Sequence, residues 1–376
     1  MESSPALSSL TTLHVGGPAK RYIAATSEAE IINAIKAADA ANEPVLVLGT
    51  GSNMVISDDG FPGLVIHDAR TDVPPSFHDE GDAVYVTAVA GRIWDDLVAD
   101  TVAAGLSGIE AMSGIPGTVG AAPVQNVGAY GQDVSMTLHS LRAYDRLTGE
   151  VRDYPAPELG FAYRNSLLKR SMHEKSPDDP KAPWDPSPRY VVLEVTLKLT
   201  PGGLSKPILW EELAKNLGHE KFGQAPVADV RAEVLNLRNI RGTLIDGFGG
   251  APTGNFDRWS VGSFFTNPIV SIEDAELLPA EVPRFPLGDS EVGDEKTATK
   301  VQIPAAWLIE NSGFTKGWGL PGSGAEVSHL HCLALTNRGQ ATAQDIVELA
   351  QTVRQGVREK FNLELVPEPN LIGVTI

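Results

Sequence analysis

A single serine, Ser263, lies between a glycine and two phenylalanines in the segment SVGSFFTNP, residues 260–268. A hydroxyl group beside aromatic rings can be an ordinary turn residue, or it can be a proton donor in a site from which water is excluded. These nine residues alone favour the turn. Whether Ser263 has a chemical role depends on what the rest of the chain can bind.

The first of two glycine-rich segments, GTGSN at residues 49–53, follows a strand pattern. Asp68 lies about as far downstream as the ribose-binding acid of a Rossmann fingerprint. However, Met54 stands where the third glycine of that fingerprint belongs, and the next residues, MVISDDG, are typical of a strand rather than a helix. The pattern therefore argues against a Rossmann nicotinamide site, because no helix N-terminus would receive the pyrophosphate.

The second segment, SGIPGTVGAAPVQNVGAYG, places five glycines within eighteen residues, from Gly114 to Gly131, and no Walker lysine follows it. Such a density of glycine lets backbone amides approach a ligand closely and form anion-binding nests. Either glycine segment alone would be interpreted as a tight loop. Two such loops flanked by strands favour a bound nucleotide.

Composition limits the classes of partner. The chain has 376 residues, a formal net charge of −18 and one cysteine, Cys332. The length predicts two or three domains, and the single cysteine excludes an internal disulfide and a multi-cysteine metal site. The negative charge argues against nucleic acid or an anionic membrane as a partner, so an anionic substrate would need locally placed Arg or Lys. We expect a soluble cytoplasmic protein, since the N-terminus lacks a signal-peptide pattern and no apolar run approaches ~20 residues. We also expect no bound metal.

The elements of the first half alternate between strand and helix patterns. Ser27 and Glu30 form a predicted capping box at the start of the first helix, and a later hairpin is predicted to turn at Thr148 and Gly149. This alternation is typical of an α/β or α+β region. The predicted elements are, in order, RYIAAT (strand), SEAEIINAIKAADAAN (helix), PVLVLGTGSN (strand), AVYVTAVAG (strand), WDDLVADTVAAGL (helix), SLRAYDRLTGEVRDY (hairpin) and YVVLEVTLKL (strand).

Beyond residue 201 the pattern becomes mainly helical, which predicts a domain boundary there. The proline-rich and charged segment 171–190 predicts a mobile surface loop. A long C-terminal helix is predicted to begin at a Thr342 cap with Asp345 in its first turn, and the chain ends on the strand-like LELVPEPNLIG.

Five motifs together resemble one enzyme family. The segments GTGSNMVISDDGFPGLVI, IPGTVGAAPVQNVGAYG, FAYRNSLLKR, GSFFTNP and EPNLIG occur in the order and spacing of the UDP-N-acetylenolpyruvoylglucosamine reductases of peptidoglycan synthesis, from about residue 10 to the C-terminus. The resemblance implies an α+β fold with the FAD-binding architecture of vanillyl-alcohol-type oxidases. The implied organisation is an FAD-binding region at 1–201 in two lobes with a boundary near 70, an α+β substrate-binding domain at 202–363, and a segment at 364–376 that returns to the active site.

The resemblance also implies where the cofactor binds. FAD would be held non-covalently, with the two glycine loops around its pyrophosphate and isoalloxazine. The residues implied to bind it are Gly49, Gly51, Ser52, Asn53, Met54, Gly114, Ile115, Pro116, Gly117, Gly120 and Ala121.

A two-step reduction follows from the resemblance. NADPH would reduce the flavin, and the reduced flavin would pass hydride to the terminal alkene carbon of an enolpyruvyl ether. Ser263 matches the proton donor of the family, and Phe264 and Phe265 beside it would help exclude water. Arg164 matches the arginine that meets the charge on the substrate carboxylate. Glu368 matches the acid that hydrogen-bonds the enol-like intermediate, or that positions the donor if burial raises its pKa.

Substrate contacts depart more from the family pattern. Arg241 stands where many members have lysine, Trp210 where one subclass has a substrate-covering tyrosine, and His331 where that subclass has glutamine. Asn370 replaces an arginine of some members, which removes one cation near Glu368. The residues implied to bind substrate are Tyr163, Trp210, Arg241, Asn267 and His331.

Two alternatives stay open at this point. An FAD oxidase or dehydrogenase of the same fold would act on an alcohol or sugar, but it would lack the GSFFTNP serine and the C-terminal glutamate. A non-catalytic nucleotide-sugar binding module would tolerate loss of the serine. If the protein is an enzyme, either a reductase or an oxidase, its partners are small molecules. We expect a monomer.

Overall fold

The computed structural model describes residues 4–287 and 299–376. Residues 1–3 of the predicted FAD-binding region and 288–298 of the predicted substrate-binding domain lie outside the described residues. Backbone contacts divide the chain into two compact units. The first consists mainly of Pro18–Gly51 and Phe61–Ile245, and the second of Ala6–Gly17, Ser52–Gly60 and Asp246–Ile376.

The first unit begins with a parallel three-stranded sheet in the order β1-β4-β2, covered by one helix. Helix α1 buries Ile31 and Ile35, on one helical face, against the sheet. The Ser27 hydroxyl accepts a hydrogen bond from the Glu30 amide, and the Glu30 carboxylate accepts one from the Thr26 amide at 2.7 Å. The predicted N-cap at Ser27 is therefore confirmed. The Glu30 side chain bonds back to the Thr26 amide, one residue before the N-cap. The elements are β1 (Ala19–Ala25), α1 (Glu28–Ala40), β2 (Val45–Leu48), β3 (Met54–Ile56, second unit) and β4 (Phe61–Asp68).

A larger, antiparallel sheet forms the rest of the core of the first unit. Its main strand order is β11-β10-β12-β6-β5, with β7 paired to β12. The β10–β11 hairpin turns at Thr148 and Gly149, as predicted. Helix α2 packs its apolar side chains into the same core. The elements are β5 (Ser76–Asp79), β6 (Val84–Val89), α2 (Trp94–Ala103), β7 (Leu106–Ser107), β8 (Gly128–Ala129), β9 (Gln132–Asp133), β10 (Leu138–Asp145), β11 (Glu150–Pro155), α3 (Leu167–His173) and β12 (Tyr190–Pro201).

The expected surface loop at 171–190 is partly buried. Its first residues complete α3, and Asp179, Trp184 and Ser187 are buried. The Trp184 indole donates to the Asp179 carboxylate at 2.7 Å, and the Ser187 hydroxyl accepts from an amide of β2 at 2.8 Å. The first bond closes a turn within the segment, and the second ties the segment to β2.

Two helices beyond residue 201 also belong to the first unit, which continues to Ile245. They are α4 (Glu211–Asn216) and α5 (Val227–Ile240), and they share a small apolar core that includes Ala111. The compact unit thus extends past the predicted boundary, because these helices pack beside the second glycine segment.

The second unit has its own apolar core around helix α8, whose buried residues Ile346, Leu349, Val353 and Val357 recur at helical spacing. Thr342 and Asp345 form a complete capping box at its start. Its strands pair as β13-β15-β14, β16-β17 and a parallel β18-β3 pair. The elements are β13 (Ile269–Ser271), α6 (Ile272–Glu276), β14 (Phe285–Leu287), β15 (Lys300–Gln302), α7 (Ala305–Asn311), β16 (Ala325–Val327), β17 (Leu335–Asn337), α8 (Ala343–Phe361) and β18 (Asn370–Ile372).

Within residues 4–287 and 299–376, none of the helices combines the length and the apolar composition that crossing a bilayer requires.

Candidate active site

The first glycine loop leaves β2 and leads directly into a strand. Gly51 has a φ of +58°, a conformation that favours glycine. A Cβ atom at Gly49 would lie 2.7 Å from the Thr118 hydroxyl, so this position has no room for a side chain. Within the described part of the chain, the buried Thr50 hydroxyl has no hydrogen-bond partner. The loop therefore offers a close backbone approach and one unsatisfied polar atom to a ligand.

The second glycine loop packs against the first, because Thr118 belongs to it. Gly114 and Gly117 have φ values of +70° and +134°. A Cβ atom at Gly120 would lie 2.4 Å from the Ala90 side chain. The two loops thus form one glycine-lined surface in the first unit, of the kind that a dinucleotide pyrophosphate requires.

The remaining residues implied to bind the cofactor lie along the same two loops. Ser52, Asn53 and Met54 continue the first loop in the second unit and are half-buried. Ile115 and Pro116 are half-buried in the second loop, and Ala121 is exposed near its middle.

A Rossmann nicotinamide site does not fit this geometry. The first glycine loop continues into β3 rather than a helix, as the sequence indicates. Asp68 is buried, and its two carboxylate oxygens accept hydrogen bonds from the Arg70 guanidinium at 2.8 and 2.6 Å. Asp68 therefore neutralises an internal arginine and does not act as a ribose-binding acid.

Arg164 lies in a tight turn in which Ala162 and Asn165 exchange two backbone hydrogen bonds. Its φ of +51° is unusual for a residue with a side chain. The guanidinium donates to the backbone carbonyls of Asn126, at 3.4 Å, and Gly128, at 2.9 Å. Both carbonyls belong to the second glycine segment, so a strained turn holds the predicted catalytic arginine in a fixed orientation beside the predicted flavin site.

Ser263 and Glu368 are neighbours in the second unit, although 105 positions separate them in the chain. The Glu368 amide donates to the Phe264 carbonyl at 2.9 Å, and the Thr266 amide donates to the Val366 carbonyl at 3.0 Å. The C-terminal segment therefore runs antiparallel to the segment that carries the serine. Two of the three predicted catalytic residues are thus brought together by backbone pairing.

The same C-terminal segment contacts the first glycine loop. The Asn53 side-chain amide donates to the Glu368 carbonyl at 3.3 Å, and the Asn370 amide donates to the Asn53 carbonyl at 2.9 Å. Asn370 also opens strand β18, which pairs with β3. Asn53 therefore holds the segment of the predicted catalytic glutamate within the second unit.

The two phenylalanines next to Ser263 face the core. Phe264 and Phe265 are 0% and 1% exposed, and their rings meet at a centroid distance of 5.1 Å. They pack with the core of the second unit and anchor the half-buried Ser263. Exclusion of water around the serine hydroxyl stays a prediction.

Trp210 and Arg241 meet around a third residue that the sequence reasoning missed, Tyr130. The Trp210 ring is 45% exposed and contacts the Tyr130 ring edge-on at 6.2 Å. The Arg241 guanidinium lies 5.8 Å from the Tyr130 ring centre and forms an ion pair with Glu212. Burial raises the pKa of Tyr130. An exposed indole, a phenol and a cation at one place suit a ligand with a flat ring and phosphates.

The other residues implied to bind substrate occupy different places. Tyr163 precedes Arg164 and is 43% exposed, with its ring 5.3 Å from that guanidinium. The Asn267 side-chain oxygen accepts from the Ala305 amide at 2.9 Å and so caps α7. His331 lies in the loop between β16 and β17, two residues before Leu333, whose carbonyl accepts from the Phe264 amide at 2.8 Å.

Tyr130 could have been found from its position, because it lies in NVGAYG between two glycines of the second loop. Another residue that sequence reasoning missed, Asp95, is buried on α2 and accepts from the Gly114 amide at 2.6 Å. Nothing in its local sequence distinguishes Asp95 from a solvated acid in the first turn of a helix. Among the described residues, no group of three or more His, Cys, Asp or Glu side chains could hold a metal ion.

Two family profiles match this chain. Residues 19–154 match the profile of an FAD binding domain, and residues 253–372 match the profile described as UDP-N-acetylenolpyruvoylglucosamine reductase, C-terminal domain. The two glycine loops and the carbonyls of Asn126 and Gly128 lie within the first match. Ser263 and Glu368 lie within the second.

The chain is similar over its whole length to curated reductases. It is 44% identical to the UDP-N-acetylenolpyruvoylglucosamine reductase of Thermobifida fusca, covering 98% of this chain and 97% of that protein. It is also 44% identical to that of Nocardia farcinica, with 98% and 89% covered. The crystal structure of the same reductase from Thermus caldophilus superposes with a TM-score of 0.61 at 25% identity, covering 98% of this chain and 97% of that one. The chain therefore belongs to the UDP-N-acetylenolpyruvoylglucosamine reductase family and is an FAD-dependent oxidoreductase.

Proposed function

We propose that this enzyme uses NADPH to reduce UDP-N-acetylglucosamine enolpyruvate to UDP-N-acetylmuramate in peptidoglycan synthesis. The observation that carries the proposal is the antiparallel pairing of the Ser263 and Glu368 segments, in a chain that matches curated reductases over its full length. When bound, FAD supplies the two-electron chemistry that carries hydride from NADPH to the terminal carbon of the enolpyruvyl alkene.

The two glycine loops hold the cofactor. Their backbone amides and the Thr50 hydroxyl would hold the pyrophosphate, because Gly49 lets the two loops pack closely against each other. This binding is non-covalent. The lone cysteine, Cys332, lies in the second unit, outside both glycine loops.

Ser263 delivers the proton. Its hydroxyl hydrogen goes to the substrate carbon that bears the carboxylate, while hydride arrives at the adjacent terminal carbon. The new C–H bond forms as the O–H bond of the serine breaks, and solvent later restores the hydroxyl proton. The rigid phenylalanine anchor fixes the direction from which this proton arrives.

Arg164 orients the substrate carboxylate. The carboxylate gains electron density as the enol-like intermediate forms, and the planar guanidinium stabilises that charge by two parallel hydrogen bonds. Carbonyls of Asn126 and Gly128 fix the guanidinium before substrate binds, which reduces the cost of reorganisation in the transition state. Glu368 hydrogen-bonds the same intermediate from the C-terminal segment.

The uridine diphosphate moiety contacts Trp210, Tyr130 and Arg241. The indole stacks on a flat ring, while the guanidinium meets phosphate. Tyr163, Asn267 and His331 complete the sugar and carboxylate contacts.

We assign residues 1–201 to FAD binding, 202–363 to substrate binding and 364–376 to the return of the chain to the active site. The enzyme works as a cytoplasmic monomer. The single cysteine and the net charge of −18 support a reducing compartment and small-molecule partners.

Product analysis tests the proposal. Purified protein with FAD should consume one NADPH per substrate molecule and give a product heavier by two hydrogens, as measured by mass spectrometry. In D2O, one deuterium should appear on the lactyl carbon that bears the carboxylate. NADPH consumption without this product would contradict the proposal and favour an oxidase of the same fold.

A further inference from the structure

Three residues with side chains adopt a left-handed backbone conformation in one part of the first unit. They are Asn126, Tyr130 and Arg164, with φ values of +50°, +50° and +51°. Among the residues that the structure describes, seven other than glycine have a positive φ, so the strain is concentrated here, as is typical of functional sites. The proposed function uses the side chains of Tyr130 and Arg164, but only the backbone carbonyl of Asn126.

The side chain of Asn126 is buried and hydrogen-bonded at both ends. The residue is 3% exposed. Its Nδ2 donates to the Ala162 carbonyl at 3.3 Å, and its Oδ1 accepts from the Ser135 amide at 2.9 Å. Ala162 belongs to the turn that carries Arg164, and Ser135 follows the β8–β9 hairpin that carries Tyr130. One amide therefore joins the Arg164 turn to the base of the Tyr130 hairpin.

Asn126 thus contacts both ends of Arg164. Its carbonyl accepts from the guanidinium at 3.4 Å, while its side-chain amide holds the turn from which the arginine side chain extends. The direction of the guanidinium matters, because a displacement of about 1 Å at a reacting group can slow a reaction by about 10²-fold.

Other hydrogen bonds keep the two segments together. The Ser166 hydroxyl donates to the Val124 carbonyl at 2.5 Å, and the turn is closed by its own two bonds between Ala162 and Asn165. The left-handed conformation of Asn126 does not require an amide either, because glycine adopts it more readily. Loss of the amide should therefore preserve the fold and free only the orientation of the turn.

We propose that Asn126 is a positioning residue for the reduction, whose side-chain amide holds the Arg164 turn so that the guanidinium meets the substrate carboxylate in one orientation. This inference rests on the proposed function for the role of Arg164. Asn126 acts through Arg164, and its side chain does not itself contact the substrate.

The test compares wild type, Asn126→Gly and Asn126→Asp, each with Arg164 and with Arg164→Lys. Glycine keeps the left-handed backbone and removes both side-chain hydrogen bonds. Aspartate keeps an acceptor for the Ser135 amide but has no N–H to donate to the Ala162 carbonyl. Asn42→Gly is the matched control, because Asn42 has a φ of +51° in an exposed turn after α1.

Stopped-flow absorbance separates flavin reduction by NADPH from reoxidation by UDP-N-acetylglucosamine enolpyruvate. Asn126→Gly and Asn126→Asp should each slow reoxidation at saturating substrate by about tenfold or more. Flavin reduction should stay close to the wild-type rate, as should the Kd of FAD, measured by fluorescence titration of flavin-free protein. Asn42→Gly should change none of these quantities.

The variants that also carry Arg164→Lys give the decisive comparison. In that background no guanidinium remains to be held, so Asn126→Gly and Asn126→Asp should slow reoxidation by no more than about twofold further. A merely structural residue would cause the same loss in both backgrounds, because its effect would not depend on the side chain at position 164.

Equal losses in the two backgrounds would overturn the inference, since Asn126 would then act independently of Arg164. Wild-type reoxidation in both Asn126 variants would also overturn it. If Asn126→Gly does not retain flavin, Asn126→Asp gives the same comparison by itself. If neither variant binds FAD, Asn126 is a structural residue and the inference is wrong. A wild type that NADPH reduces but the enolpyruvyl substrate does not reoxidise would contradict the proposed function alone.

Discussion

Arg164 occupies a backbone conformation that glycine adopts more readily than any residue with a side chain. A left-handed φ costs such a residue about 1–2 kcal/mol, and the value here is +51°. The turn between Ala162 and Asn165 would form equally well with glycine at this position. The turn therefore does not require an arginine at position 164, and the guanidinium explains why this residue is present.

This interpretation predicts that stability and catalysis separate at residue 164. Arg164→Gly should be no less stable than wild type in chemical denaturation, because it relieves the left-handed strain, but it should lose nearly all activity. Arg164→Lys keeps the Cβ atom and the charge but not the planar fork, so kcat should fall by about 10²-fold or more. An increase in KM with unchanged kcat would instead identify Arg164 as a ground-state contact.

Ser263 gives the second residue-scale prediction. Ser263→Ala leaves the glycine loops intact, so NADPH should bleach the flavin at close to the wild-type rate. Reoxidation by the enolpyruvyl substrate should slow by about 10²- to 10⁴-fold, as expected for a lost general acid. Stopped-flow absorbance measures the two half-reactions separately.

Ser263→Cys is the matched variant, since a thiol at the same position can also donate a proton, and it should retain much of the reoxidation rate. If the flavin of Ser263→Ala is reoxidised at the wild-type rate, Ser263 is only a turn residue anchored by Phe264 and Phe265.

At the scale of elements, the two glycine loops depend on each other. A methyl group at Gly49 would collide with the Thr118 side chain at 2.7 Å. Gly49→Ala should therefore displace the second loop and weaken FAD binding by at least tenfold, as measured by titration of flavin-free protein.

The double variant Gly49→Ala/Thr118→Ala removes the collision and should recover much of the lost affinity relative to Thr118→Ala alone. If Gly49→Ala binds FAD like wild type, the contact between the loops has no part in the flavin site.

Local elements were predictable where their signals are local. The Ser27 and Thr342 caps and the turn at Thr148 and Gly149 are confirmed, because each is specified by residues within four positions of one another. Segment 171–190 was harder to predict, since its proline and charge suggest exposure. Its anchoring depends on Ser187 meeting the Val47 amide of β2, a partner far away in the chain.

The candidate site shows the same limit. The motifs identified Ser263, Arg164 and Glu368 as candidates, but pattern alone could not show that the Phe264 and Glu368 backbones pair. The lack of an ion-pair partner for Arg238 among the described residues could not be predicted either, because charge balance depends on whether Arg231 or Arg238 of α5 reaches Asp95.

At the scale of the whole molecule, the second unit is assembled from distant parts of the chain. The Asn337 side-chain amide donates to the Leu13 carbonyl at 3.1 Å, and the Asp58 carboxylate accepts from the Ala343 amide at 2.9 Å. Segments 6–17 and 52–60 therefore belong with the C-terminal half. A composition change near residue 201 carries no information about such contacts.

Cofactor removal provides a prediction at this scale. Acid precipitation should release all the flavin, because binding is non-covalent, and flavin-free protein should be less stable than the complex. Restoring FAD at 100 times its Kd should add about 2.7 kcal/mol to the free energy of unfolding, seen as a higher Tm. Flavin that stays with the precipitated polypeptide would contradict non-covalent binding.

In the proposed function, one bound FAD is reduced by NADPH and reoxidised by an enolpyruvyl sugar nucleotide. The most direct measurement is the anaerobic absorbance spectrum of the purified wild-type protein, followed through both additions. NADPH should bleach the flavin band, and one equivalent of UDP-N-acetylglucosamine enolpyruvate should then restore it fully. A band that NADPH cannot bleach, or that stays bleached after the enolpyruvyl substrate is added, would contradict the claim.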